Sequence, residues 1–312
     1  MIEFESVSFS YLSPSARKRS NNTAQAAQVR ADWGNAPEST MALDNVSFTL
    51  EDGEFLGIVG HTGSGKSTLI QLANGLLKPT SGRVLVDGVD ISDKKSAAHA
   101  RRNVGVVFQY PEHQLFAATV REDVSFGPGN LGMTPQEIDE SVRKALAQVH
   151  LDYDEIAEKN PFALSGGQQR RVAFAGVLAM NPTTLVLDEP VAGLDPHAKA
   201  DFLALIRELH EESGLTCAIV SHNMDDVAKL CDRVLVLNQG RVFALGTPAE
   251  VFSDEASMHS IGLDVPGTVR MANRLRAQGF ALDALPPVPT TRELAHAIRV
   301  ELASKQAGAI HG

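Results

Sequence analysis

Eight consecutive residues, Gly60-His61-Thr62-Gly63-Ser64-Gly65-Lys66-Ser67, carry the most specific chemistry in the chain. They fit the pattern G-x-x-x-x-G-K-S/T in full. Glycines at the first, fourth and sixth places let successive backbone N–H groups turn inward around phosphate oxygens, and the helix start behind them adds its positive dipole end. Lys66 is placed to neutralise β- and γ-phosphates and the Ser67 hydroxyl to bind Mg²⁺, and Thr68 beside them is expected to bind the nucleotide too. Such a loop needs a buried strand before it and a helix after it. Phe55-Leu56-Gly57-Ile58-Val59 reads as the strand, and Leu69, Leu72, Ala73, Leu76 and Leu77 recur at helical spacing behind the loop. The pattern predicts a nucleoside triphosphate site.

A triphosphate site also needs a carboxylate at the end of another buried strand. Leu185-Val186-Leu187-Asp188-Glu189 supplies two. Asp188 can hold Mg²⁺ through water, and Glu189 can polarise an attacking water. Leu164-Ser165-Gly166-Gly167-Gln168 opens the helical stretch 169–180, so Ser165 and its two glycines offer a hydroxyl and free N–H groups at a helix start.

Positioning these groups requires an α/β scaffold. Short apolar runs at 104–108, 184–187, 217–220 and 234–237 alternate with helical patterns, which argues for a mainly parallel sheet. Residues 1–12 and 41–59 read as β, with alternation at 7–11 and 46–50. Residues 112–180 read as a helical insertion; Thr134-Pro135-Gln136-Glu137 starts one helix, whose stripe is Ile138, Val142, Ala145, Leu146 and Val149. The divisions expected are 1–254 as the nucleotide-binding unit and 255–312 as a small helical tail. That tail has one helix stopping at Gly279 and a second starting at the Thr290–Glu293 capping box, with Leu294, Ile298 and Leu302 as its stripe. Residues 13–40, rich in Ser, Ala, Asn and Gln and holding Trp33 and Arg17-Lys18-Arg19, read as a flexible inserted loop.

Composition narrows the partners. Lys and Arg number 28 against 38 Asp and Glu, a formal charge of −10, which gives no general electrostatic reason to coat nucleic acid. No apolar run reaches the roughly 18 to 20 residues of a membrane span, and the first residues lack the order of a secretory signal. The two cysteines, Cys217 and Cys231, stand outside any paired motif and read as buried reduced thiols. A cytoplasmic chain is expected.

In this order along the chain, the motifs resemble those of the ABC ATPases, whose fold carries an antiparallel β subdomain and a helical insertion beside the phosphate-loop core. The resemblance implies that Gln109 touches Mg²⁺ and senses the γ-phosphate, and that His222 contacts that phosphate. It also implies that Tyr11 stacks on adenine and that Asp195, in Gly193-Leu194-Asp195, lies across a dimer interface. Ser165, Gly166, Gly167 and Gln168 would then bind ATP held by the opposite subunit. The stretch 108–116, Phe-Gln-Tyr-Pro-Glu-His-Gln-Leu-Phe, and the tail segment 262–266 are similar to those of the energy-coupling-factor ATPases, which power uptake of vitamins and transition-metal ions. For that family, the expected partners are a second ATPase subunit, identical or related, a transmembrane coupling subunit and a separate substrate-capture membrane subunit. The chain would then sit peripherally on the cytoplasmic membrane face. Glu112, Leu115 and Phe116 are the expected docking residues. Alternatives are an ATPase serving a binding-protein-dependent importer or a soluble ABC ATPase. A GTPase is excluded because Asn223-Met224-Asp225-Asp226 lacks the lysine of the N-K-x-D base-reading motif.

Overall fold

The computed structural model describes residues 1–11 and 41–310. The loop expected at 13–40, with Trp33, lies outside the described residues. Strands β1 (Ile2–Ser10) and β2 (Met41–Leu50) lead into β3 (Phe55–Val59), the phosphate-loop segment and helix α1 (Lys66–Ala73). Next come β4 (Ser81–Val86), β5 (Val89–Asp90), α2 (Lys94–Asn103) and β6 (Val104–Val107). Helices α3 (Val120–Asn130), α4 (Pro135–Gln148), α5 (Tyr153–Ile156) and α6 (Gly166–Leu178) follow. The chain then returns through β7 (Thr184–Asp188), α7 (Pro196–Ser213), β8 (Thr216–Val220), α8 (Met224–Leu230), β9 (Arg233–Asn238) and β10 (Arg241–Gly246). It ends in α9 (Pro248–Phe252), α10 (Glu255–Ser260), α11 (Gly267–Ala277) and α12 (Thr291–Ile310).

Two sheets result. The larger has the order β10-β9-β3-β8-β7-β6, parallel throughout except for the antiparallel edge strand β10. The smaller is antiparallel, in the order β2-β1-β4-β5. Side chains of a strand alternate between its faces, so β3 feeds two cores. Leu56 and Ile58 join Phe4, Phe48, Leu69, Leu72, Val186 and Leu235 between the sheets. Phe55 and Val59 join Leu187, Ile219 and Val236 under the helices of the other face, including Val142 and Leu146 of α4 and Phe174 of α6. At Gly57 a Cβ would lie 2.6 Å from Val227 Cγ1, so glycine there lets α8 approach the sheet.

Several local expectations need correction. Helix α1 ends at Ala73; Gly75, at φ +71°, turns the chain away and leaves Leu76 exposed. Strands β4, β5 and β10 lie outside the strands expected from sequence: β5 is only two residues long, the first half of β4 is exposed, and β10 is nowhere fully buried. In the tail, Leu294 and Ile298 pack with Ala272 and Leu282 in a small separate core, whereas Leu302 is exposed. Thr290 and Glu293 do form the capping pair at the start of α12. Both cysteines are buried reduced thiols; burial pushes Cys217 up to about 12 and Cys231 well above the ordinary thiol value. Among the described residues, no helix is long and apolar enough to cross a membrane.

Candidate nucleotide site

The phosphate loop emerges from the carboxyl end of β3, with β8 on one side and β9 on the other. Open parallel sheets place ligands at this edge. Two of its glycines are sterically required. A Cβ at Gly60 would lie 2.5 Å from the Leu237 carbonyl oxygen, and one at Gly65, at φ +107°, equally close to that of Ala42. Gly65 leaves α1 without a side-chain cap, so the first N–H groups of the helix stay available to an anion. Beside them the Ser64 hydroxyl is buried without a hydrogen-bond partner among the described residues.

Lys66 is folded back over this loop. Its Nζ donates to the Gly60 and His61 carbonyls at 2.6 and 2.9 Å. Burial pulls its pKa down, and the negative charges of Glu189 and Asp188 offset only part of that. The turn between β9 and β10 backs the loop. The Gly240 N–H donates to the Ser64 carbonyl, and Asn238 Oδ1 lies 3.1 Å from His61 Nε2. Thr62, Gly63 and Ser67 are exposed. Tyr11 is also largely exposed; its hydroxyl meets Thr68 Oγ1 at 2.9 Å and its ring stands edge-on to Phe9.

The carboxylates follow β7, two strands away. Burial and the neighbouring Glu189 push the Asp188 carboxyl above its ordinary value, against the pull of Lys66 and His222. Glu189 sits at φ +48°, a left-handed conformation costly for a side chain of this type, while its N–H donates to the Val220 carbonyl. Its two oxygens are both engaged. His222 Nε2, beyond β8, lies 2.8 Å from Oε1, and Gln109 Nε2, beyond β6, donates to Oε2 at 3.3 Å. Three adjacent strands thus deliver Gln109, Glu189 and His222 to one point, and Lys66 interacts electrostatically with both carboxylates.

The helix start at Ser165 is arranged differently. Ser165 Oγ accepts from the Gln168 N–H, and Gln168 Oε1 accepts from the Ser165 N–H and hydroxyl. Ser165, Gly166 and Gly167 are exposed, and a Cβ on either glycine would meet nothing within 4 Å among the described residues. Asp195 is exposed and caps α7, accepting from His197 and Ala198. Those backbone N–H groups hold its carboxyl below its ordinary value.

Two of the expected docking residues are turned inward. Glu112 is gripped by the Arg170 guanidinium at 2.6 and 2.9 Å, so its charge has a partner within the chain. Leu115 is buried in the core with Val120 and Val124. Phe116 is exposed, and Phe126 of α3, also exposed, meets it edge to face at 4.9 Å. Sequence reading missed Phe126, although its place two residues beyond Val124 puts it off the buried face of α3. A cleft of about 430 Å³ runs from Glu189 and His222 past Lys199 to Asp264 and Arg270 of the tail.

Residues 43–192 match the ABC transporter family model. An energy-coupling factor transporter ATP-binding protein EcfA2 of Clostridium perfringens is 53% identical over 245 residues, covering 78% of this chain and 86% of the relative. That of Symbiobacterium thermophilum is 53% identical over 271 residues, with 86% and 93% covered. Among solved structures, cbiO1 of Clostridium perfringens, part of the ABC transporter complex cbiONQ, superposes with a TM-score of 0.67 at 35% identity; 88% of this chain and 98% of that one are covered. The cassette MJ0796, a dimer in a post-hydrolysis state with ADP and Pi, gives 0.63 at 29% identity over 79% of this chain and 98% of its own. With identity at this level over most of both sequences, the chain belongs to the energy-coupling factor transporter ATP-binding proteins of the ABC transporter family.

Proposed function

We propose that the chain is the ATP-hydrolysing subunit of an energy-coupling-factor importer and that it burns ATP only as one half of a dimer. The convergence of Gln109 and His222 on Glu189, beside Lys66 and Asp188, is the observation that carries this reading. One cluster holds a group to orient water, a cation for phosphate and side chains poised to sense whether the γ-phosphate is present.

The residues suit Mg-ATP. The uncapped start of α1 and the unpartnered Ser64 hydroxyl suit phosphate oxygens. Lys66, whose Nζ now rests on two carbonyls, has donors to transfer to β- and γ-phosphate. Ser67, Gln109 and Asp188 would hold Mg²⁺, which when bound neutralises charge on the phosphates and leaving group. Burial and Glu189 push the Asp188 carboxyl above its ordinary value, and a cation nearby would favour its charged form. Glu189 accepts the proton of the attacking water or orients it, and His222 and Gln109 fix the carboxylate. Tyr11 lies on the adenine side.

The Ser165–Gln168 start and Asp195 are the parts offered to the opposite subunit. The γ-phosphate favours the closed dimer because its contacts with Ser165 and the adjoining N–H groups exist only there, and hydrolysis removes them. Motion then passes through the 112–116 segment, with Phe116 and Phe126 as the apolar docking surface, to a transmembrane subunit. A separate membrane subunit captures the vitamin or metal ion. The chain lies peripherally on the cytoplasmic face. A tagged chain purified from detergent-solubilised membranes should carry a hydrophobic membrane subunit and a second ATPase chain. Recovery of the chain alone, in the soluble fraction only, would contradict the transport reading.

A further inference from the structure

Arg170 lies in the second turn of α6, only 2% exposed, and makes four hydrogen bonds. Nε donates to Glu112 Oε2 at 2.9 Å and Nη2 to Oε1 at 2.6 Å, a two-pronged grip on the carboxylate. Nη1 donates to the carbonyls of Ala192 at 3.0 Å and Pro190 at 3.3 Å. One planar guanidinium therefore joins three segments: its own helix, the stretch containing Glu112, and the turn immediately after Glu189. Only a fork of fixed geometry serves a carboxylate on one edge and carbonyls on another.

The two joined stretches also touch independently. Tyr110, at φ +55°, lays its ring against Gly193, where a Cβ would come within 3.1 Å of Tyr110 Cε1. Gln109 donates to Glu189 itself. Packing of α6 does not call for the charge, since Val172, Phe174, Ala175 and Leu178 already bury the helix. A buried ion pair adds little stability compared with apolar residues of similar volume, but removing one partner leaves the other uncompensated.

We propose that Arg170 is a positioning residue for hydrolysis: it fixes the turn that carries Glu189 and makes the placement of that turn depend on Glu112. Its guanidinium is engaged by Glu112 and by the Pro190 and Ala192 carbonyls, and it acts through those main-chain groups. The inference rests on the role given above to Glu189.

Steady-state ATP hydrolysis by the full chain tests it, with thermal unfolding followed in parallel. Arg170→Lys keeps the charge but loses the fork. Its kcat should fall roughly tenfold or more while KM for ATP stays within about threefold, because the phosphate loop is untouched. Glu112→Gln retains an acceptor oxygen and should show the same split more mildly; it serves if the lysine variant folds poorly. Because Arg170 acts through Glu189, the double variant Glu189→Gln/Arg170→Lys should be no slower than Glu189→Gln alone. Wild-type kcat in both single variants would overturn the inference. So would multiplicative losses in the double variant, or a fall in kcat matched by a rise in KM. Failure of the Glu189 reading is separately visible, as undiminished turnover in Glu189→Gln itself.

Discussion

Two helix starts in this molecule are candidates for the same ligand, and they are prepared in opposite ways. At α1 the cap is Gly65 in a left-handed conformation, no side chain satisfies the first N–H groups, and the loop is braced from behind by Ala42, Leu237 and Gly240. At α6 the cap is Ser165, and its box with Gln168 satisfies the helix start from within. The first end leaves its N–H groups open to phosphate and is packed closely from behind. The second is exposed and self-satisfied, so a ligand must compete with the box, and among the described residues nothing braces Gly166 or Gly167 from outside. The contrast suits a division of labour, in which one end binds ATP unaided and the other engages only when a second surface presents the nucleotide.

The sharpest way to probe that division is to stop the chemistry without disturbing binding. Glu189→Gln should lower turnover by roughly 10²- to 10⁴-fold, the range of a lost general base, and let closed dimers accumulate in ATP. Rapid-quench hydrolysis and size-exclusion chromatography read the two effects. Next, Ser165→Arg should reduce turnover by roughly 10²- to 10³-fold, as for loss of a transition-state donor. Nucleotide titration of the lone chain should be unchanged by it. Weakened binding in that monomer would erase the contrast between the two helix starts. Lys66→Ala should do the reverse and weaken ATP binding by roughly 10- to 100-fold, the worth of charge-assisted hydrogen bonds; calorimetry measures it.

The smallest effect concerns pH. Burial raises the Glu112 carboxyl, but the Arg170 fork outweighs it and holds the group below its ordinary value. A carboxyl lowered on folding stabilises the fold above its unfolded pKa, and that contribution disappears as pH falls through the folded value. The Tm difference between wild type and Glu112→Gln should therefore hold above about pH 5 and shrink below about pH 4.

How much of this was legible in the residues depends on range. The phosphate loop is a local device: its glycines, lysine and serine are contiguous, and the strand and helix that hold it adjoin it in sequence. Asp188 and Glu189 were legible as an acidic pair ending an apolar run. Where the outcome hung on a distant partner, sequence was silent. Glu112 looked free because Arg170 lies 58 positions away. Leu115 suited either docking or packing within the helical subdomain; the structure buries it with Val120 and Val124, beyond the turn at Pro111–Gln114. The inward grip of Glu189 by His222 and Gln109 likewise depends on the order of β6, β7 and β8 in the sheet, which spacing alone does not reveal.

The central claim is that a single chain holds half of each hydrolytic site. It is tested most directly by measuring turnover per chain across a dilution series while sedimentation velocity reports the monomer fraction. The account predicts that hydrolysis tracks the associated species and vanishes where the chain sediments alone. Undiminished turnover from a sedimenting monomer would contradict it.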